Sequence, residues 1–146
     1  YAFKCGGGVN HRMGLYDAAM IKENHIAWTD NLNNAVKKIR LNSPFTTHII
    51  IEAENIEQAK EAVLAGADSV LLDELSPEII KKNVQELRDL SMNSLKKEVN
   101  KNLIIEVSGI NPEEISKYLI KGIDLISTSS SITKSNWIDL SMRYIN

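Results

Sequence analysis

The sequence predicts an α/β fold built around a parallel sheet. Short apolar runs rich in β-branched residues alternate along the chain with segments whose apolar residues recur at helical spacing, giving about five βα units. Each apolar run also ends in polar residues, and ligands of parallel α/β folds sit at the C-terminal ends of the strands.

The first strand is expected within the segment from Leu15 to Ile21, with Lys22 at its C-terminal end. Thr29 or Asp30 then caps a helix that places Leu32, Ala35, Val36 and Ile39 on one face, and Asn42-Ser43-Pro44 ends it. Thr47 to Ala53 reads as a buried strand ending near Glu52. A helix from Ile56 to Leu64 follows, closed by Gly66. Ser69 to Asp73 is the third strand, and Ser76-Pro77 starts a helix that runs to near Leu90. The stretch from Ser91 to Asn102 reads as a solvated connection or a helix tail. Leu103 to Val107 is the fourth strand, leading into Ser108-Gly109. Asn111-Pro112 opens a helix with Ile115, Tyr118 and Leu119 turned inward, and Lys121-Gly122 closes it. Ile123 to Ile126 is the last strand, the serine-rich run 127–131 follows, and Trp137 to Tyr144 is expected as a final amphipathic helix.

A length of 146 residues suits one domain, and 43% apolar with 25% charged residues is an ordinary globular balance. The net charge of −2 gives no bulk attraction to nucleic acid or an anionic membrane, so neither is expected as a partner. No apolar run approaches the roughly 18 residues of a membrane helix. The single cysteine, Cys5, makes no intrachain disulfide, which fits a reducing compartment, and a cytoplasmic address is expected. The opening Tyr1 to Cys5 carries no initiator methionine and no signal-peptide pattern, and it enters three glycines at once. The chain is therefore expected to be a fragment cut inside a domain.

Lys22, Glu52, Asp73, Ser108 and the serine run should converge on one mouth at the strand ends. His11 and Arg12, directly after Gly6-Gly7-Gly8, suit carboxylate or phosphate recognition. Two carboxylates on neighbouring strands, Glu52 and Asp73, can jointly hold Mg²⁺ or ribose hydroxyls. Ser108-Gly109 and the serine run offer small residues and free backbone N–H groups of the kind that bind phosphate. Singly, each has a plainer reading: a snorkelling lysine, a helix cap, a surface pair or an ordinary βα turn. His48 reads as structural and His25 as a supporting partner. Cys5 lacks a neighbouring base, and no Cys or His spacing supplies a zinc site.

Gly6-Gly7-Gly8-Val9-Asn10-His11-Arg12-Met13-Gly14-Leu15-Tyr16-Asp17 and Ile21-Lys22-Glu23-Asn24-His25-Ile26 resemble the core motif of the quinolinate phosphoribosyltransferase family. The likeness continues through Ala65 to Asp73, Glu106-Val107-Ser108-Gly109 and Gly122 to Ser127, and spans essentially the whole chain. The resemblance implies an incomplete, open α/β barrel, TIM-like and of the type II phosphoribosyltransferase kind, lacking the family's N-terminal α/β sandwich domain and its upstream Arg-Lys-Thr segment. It implies phosphoribosyl transfer from phosphoribosyl pyrophosphate to quinolinate, with decarboxylation to nicotinate mononucleotide in NAD synthesis. Lys22, Glu52 and Asp73 would be catalytic. With Lys22, His11 and Arg12 would hold substrate carboxylates and phosphates, Glu52 and Asp73 the ribose hydroxyls and Mg²⁺, and Ser108, Gly109 and Ser129 the phosphates. A homodimer or higher multiple is implied, with this fragment alone inactive.

The chain departs from the family pattern at three places. The family's Glu-x-Glu strand end reads Ile50-Ile51-Glu52, Ser108-Gly109-Ile110 stands for a longer glycine loop, and Ser129 replaces a glycine. Competing readings are a molybdenum-transport-associated relative, a barrel aldolase using Lys22 as a Schiff base, and a degenerate ligand-binding or assembly subunit. Ile21-Lys22-Glu23-Asn24-His25 favours the quinolinate enzymes over the first.

Overall fold

The computed structural model describes residues 1–29, 31–94 and 102–145. A short helix α1 (Ala2–Cys5) precedes β1 (Ala18–Ile21), after which come α2 (Glu23–Ala27), α3 (Leu32–Asn42), β2 (His48–Ala53), α4 (Ile56–Leu64), β3 (Ser69–Asp73) and α5 (Pro77–Ser94). Then come β4 (Ile104–Ser108), a 3₁₀ helix (Pro112–Tyr118), β5 (Leu125–Ile126) and α6 (Ser130–Thr133).

All strand pairs are parallel, and the strands lie side by side in sequence order, β1-β2-β3-β4-β5. Stepping always in one direction with right-handed crossovers keeps the helices on one face of the sheet. Such a sheet is an arc of an α/β barrel, as expected from the sequence. Its outer face carries Ile21, Ile49, Ile51, Ala53, Val70, Leu72, Ile105 and Val107. These pack with Leu32 and Val36 of α3, Ala59 and Val63 of α4, and Ile80, Val84 and Leu87 of α5. Fully burying each Ile or Leu contributes about 1.5–3 kcal/mol. The inner face holds a much smaller apolar cluster, Ala18, Ile50 and Leu71 with Met20 against it, so polar strand residues take up the rest of that face.

Helix ends follow their chemistry. Asn55 caps α4, accepting from the Gln58 N–H at 2.9 Å. At the other end Gly66 has φ +88°, and Ala67 N–H and Gly66 N–H return to the carbonyls of Ala62 and Val63 in a Schellman closure. Ser76 Oγ accepts from the Ile79 N–H at 3.4 Å at the start of α5.

One device joins strands to helices twice. The Asp68 carboxylate accepts the Ile49 N–H at 2.8 Å and pairs with Arg40 of α3 at 2.7 Å. Arg40 also donates to the Thr47 and Gly66 carbonyls. Asp124 repeats the arrangement, accepting the Ile105 N–H at 2.7 Å and pairing with Arg88 of α5, which also donates to the carbonyls of Leu103 and Gly122. In both places an aspartate two residues after a positive-φ glycine fixes the start of a strand against the preceding helix.

Several expectations are corrected. The cap of α3 is Asn31, which accepts from Asn34 N–H, whereas the Thr29 hydroxyl donates to the Ile26 carbonyl, and Asp30 lies outside the described residues. β1 does fall within the expected segment, at Ala18–Ile21 just before Lys22, and the turn in which Asp17 N–H reaches the Gly14 carbonyl leaves Leu15 and Tyr16 exposed ahead of it. Helix α5 runs past Leu90 to Ser94, so the start of the stretch read as a connection or a helix tail is a helix tail, and residues 95–101 lie outside the described residues. The segment after Pro112 is 3₁₀ rather than α-helical. At three residues per turn Ile115 and Tyr118 share the core side, while Leu119 is 75% exposed. The last strand is reduced to Leu125–Ile126. Trp137 to Tyr144 forms no helix: Trp137, Ile138, Leu140, Met142 and Tyr144 all lie exposed, and so short a segment has no packing to offset the cost of helix nucleation.

Candidate active site at the strand ends

The parallel register builds the site. Ile21 pairs with Ile51, so Lys22 and Glu52 come level just beyond them; Glu52 pairs with Leu71, Leu71 with Glu106, and Asp73 with Ser108. Level residues on adjacent parallel strands face the same side about 4.8 Å apart. Lys22, Glu52, Asp73, Glu106 and Ser108 therefore share the inner face near its C-terminal edge.

Lys22 Nζ lies 2.9 Å from Glu52 Oε2 and 3.2 Å from Oε1. The hydrogen bond to Glu52 holds the lysine above its ordinary pKa, with the charges of Glu23 and Asp73 adding to it. Burial pushes the Glu52 carboxyl up as well, against the pull of Lys22, and a hydrogen bond shared with Glu23 pushes the same way. The two partners thus move in one direction, because loss of water at Glu52 outweighs its single cation. The partly buried Glu23 moves down, held first by its backbone hydrogen bond and then by Glu52. His25 supports the lysine from below: its Nδ1 accepts the Lys22 backbone N–H at 3.0 Å, fixing the turn from β1 into α2.

The Ser108 hydroxyl donates to Asp73 Oδ1. Gly109, with φ +75°, follows, and a Cβ there would come within 2.7 Å of Glu74 Cγ. Glu74 is itself at φ 52° and its N–H reaches the Ser108 carbonyl at 3.3 Å, so the β3 and β4 ends interlock through this glycine.

Of the other candidates, His11 reaches this group through Glu106, whereas Arg12 and Ser129 make their contacts away from it. The Arg12 guanidinium donates to the Ala18 carbonyl at 3.0 Å, at the start of β1, about 13 Å along the strand from Lys22. His11 Nδ1 accepts the Arg12 N–H at 2.8 Å while Nε2 faces Glu106 Oε2 at 3.5 Å, so both ring nitrogens are engaged within the chain. Ser129 is exposed at the start of α6, its carbonyl accepting the N–H groups of Ile132 and Thr133. The imidazole of His48 meets the Ser69 hydroxyl on the inner face.

Sequence reasoning did not single out Glu106. It is only 2% exposed and holds two groups, His11 and the Ser127 hydroxyl. The available signal was an acid inside an otherwise apolar strand, Ile104-Ile105-Glu106-Val107.

Among the described residues no helix is long and apolar enough to cross a membrane. The profile of the family described as quinolinate phosphoribosyl transferase, C-terminal domain, matches residues 1–143. Over 142 residues, 97% of the chain, the sequence is 39% identical to a probable nicotinate-nucleotide pyrophosphorylase (carboxylating) of Methanothermobacter thermautotrophicus, of which it covers 48%. It is 35% identical to the nicotinate-nucleotide pyrophosphorylase (carboxylating) of Dictyostelium discoideum over 134 residues, covering 91% of the chain and 42% of that protein. The structure resembles the nicotinate-nucleotide pyrophosphorylase from Francisella tularensis with TM-score 0.75 and 35% identity, covering 97% of this chain and 45% of that one. NadC from Streptococcus pyogenes gives TM-score 0.77 at 33% identity over 99% of this chain and 47% of that one. The chain spans about half the length of the curated relatives it matches. A match over nearly every residue, carried on an arc of parallel strands with a lysine–carboxylate site at its mouth, shows that this chain belongs to the quinolinate phosphoribosyltransferase family through its C-terminal domain.

Proposed function

We propose that the protein carrying this chain transfers the phosphoribosyl group of phosphoribosyl pyrophosphate to quinolinate, releasing pyrophosphate and CO₂ and forming nicotinate mononucleotide for NAD synthesis. The observation that carries the reading is Lys22 paired with Glu52, beside Asp73 and Ser108, on adjacent strand ends.

The reaction needs no protein nucleophile. The pyridine nitrogen of quinolinate forms a bond to the anomeric carbon as the bond from that carbon to pyrophosphate breaks. The carboxylates of Glu52 and Asp73 face the positive charge that builds on the ribose and accept from its hydroxyls. Lys22 meets the negative charge of a bound phosphate or carboxylate, exchanging Glu52 for the ligand. Ser108 and the backbone at Gly109 receive a phosphate, and holding both substrates in line contributes several kcal/mol of the rate. The carboxylate beside the ring nitrogen then leaves as CO₂, its electron pair passing to the ring carbon next to the cationic nitrogen, where a proton replaces it.

Among the described residues no three acidic, His or Cys side chains converge to hold a metal unaided. Mg²⁺ keeps water and substrate phosphate oxygens and needs only one or two carboxylates, a role that Glu52 and Asp73 fit. When bound with the pyrophosphate, it would neutralise charge on the leaving group.

Both substrates are polyanions, and among the described residues the mouth offers Lys22, with Arg12 engaged at the far end of β1. Further basic groups are therefore proposed to come from another part of the full-length protein or a second subunit of a homodimer or higher multiple. The 146 residues alone are then inactive. The site's place in metabolism goes with a cytoplasmic enzyme. Incubating the full-length protein with both substrates and detecting nicotinate mononucleotide tests the reading; its absence would refute it. Normal turnover by the 146 residues alone would refute the need for outside groups.

A further inference from the structure

We infer that Glu106 is a positioning residue of this site: one buried carboxylate holds His11 through Nε2 and Ser127 through Oγ, tying the segment that carries Arg12 to the loop after β5. The role rests on the reaction proposed above.

Packing does not account for an acid here. Glu106 stands level with Leu71 on β3, and an apolar side chain fills the inner face at that neighbouring position. Burying a carboxyl is costly unless polar partners surround it, and two are supplied from opposite ends of the sequence, the Ser127 hydroxyl as a donor and the His11 imidazole as a close polar neighbour. Each is delivered by backbone geometry. The Arg12 N–H donates to His11 Nδ1, which turns Nε2 toward Glu106 Oε2 at 3.5 Å. Ser127 N–H bonds to the Val107 carbonyl at 2.8 Å, which sets its hydroxyl beside the Glu106 side chain.

The consequence is a tie across the inner face. On one side it fixes the residue next to Arg12, and on the other the first residue of the serine run 127–131. Neither segment is otherwise anchored by long regular structure: the first lies between α1 and β1, and the second leads from the two-residue β5 to the four-residue α6. Loss of the carboxylate should loosen both at once, while loss of either partner loosens one.

Steady-state kinetics on the full-length protein test this. Glu106→Ala is expected to raise the KM for quinolinate and for phosphoribosyl pyrophosphate roughly tenfold each, with kcat changed far less. Glu106→Gln keeps one acceptor oxygen and should raise only one of the two. His11→Ala should raise the quinolinate KM alone, and Ser127→Ala the phosphoribosyl pyrophosphate KM alone. A merely structural Glu106 would lower thermal stability and leave both KM values at the unsubstituted level, and that result overturns the inference. Should Glu106→Ala fail to fold, Glu106→Gln with both KM values unchanged overturns it equally. If the unsubstituted protein makes no nicotinate mononucleotide, the proposed reaction fails, and the His11 imidazole NMR resonances decide the tie alone. Glu106→Gln must move them and Glu113→Gln must not; unmoved resonances overturn the tie.

Discussion

Lys22 Nζ sits 2.9 Å from Glu52 Oε2, joining the first residue after β1 to the penultimate residue of β2 across the mouth of the sheet. The pair stores a cation where a polyanionic substrate is proposed to bind. Replacing Lys22 by Met should leave the fold intact, since the lysine head is exposed, but lower kcat/KM about 10²–10³-fold, the usual effect of removing one preorganised charge partner. Steady-state rates beside a circular dichroism spectrum check it; a loss below tenfold would remove Lys22 from the reaction.

The Glu52 carboxyl predicts a pH dependence. Burial holds its pKa above the ordinary 4.5, so the folded chain keeps this proton where the unfolded chain has lost it. With more protons bound in the folded state, stability falls as pH rises above 4.5, until Glu52 has ionised in the fold; below 4.5 the penalty is absent. Lys22 acts in another window: raised above 10.5, its contribution is complete below that value and is lost as pH climbs through the folded pKa. Thermal midpoints of the unsubstituted and Glu52→Gln proteins, compared from pH 4.5 toward neutrality, should show the unsubstituted protein losing ground. A difference that stays flat would contradict a burial-raised Glu52.

Gly109 is predicted to be irreplaceable by a larger residue. At φ +75°, a side chain is strained by about 1–2 kcal/mol, and its Cβ would stand within 2.7 Å of Glu74 Cγ. Gly109→Ala should lower the thermal midpoint and, by moving the Ser108 backbone, raise the KM for phosphoribosyl pyrophosphate. An unchanged midpoint and KM would show that the β3–β4 interlock is soft.

The strands were legible because doubly buried strands read as continuous apolar runs. Ile49-Ile50-Ile51 and Val70-Leu71-Leu72 fall where the sequence places them, and the carboxylates after or within them arrive at one edge. What failed depended on tertiary contact. Trp137 to Tyr144 has the residues of an amphipathic helix but no surface here on which to lay it. Leu119 was placed inward on an α-helical period that the 3₁₀ geometry does not keep. Glu106 was hidden because its meaning lies in His11 and Ser127, which only the folded sheet brings to it. Arg12 carried a sequence signal for anion binding, yet its guanidinium rests on the Ala18 carbonyl.

The most direct measurement follows pyrophosphate, CO₂ and nicotinate mononucleotide together when the full-length protein is given phosphoribosyl pyrophosphate with and without quinolinate. The account predicts all three products in equal amounts, only when quinolinate is present, and their loss in Lys22→Met. Pyrophosphate release that ignores quinolinate, or no nicotinate mononucleotide at all, would contradict it.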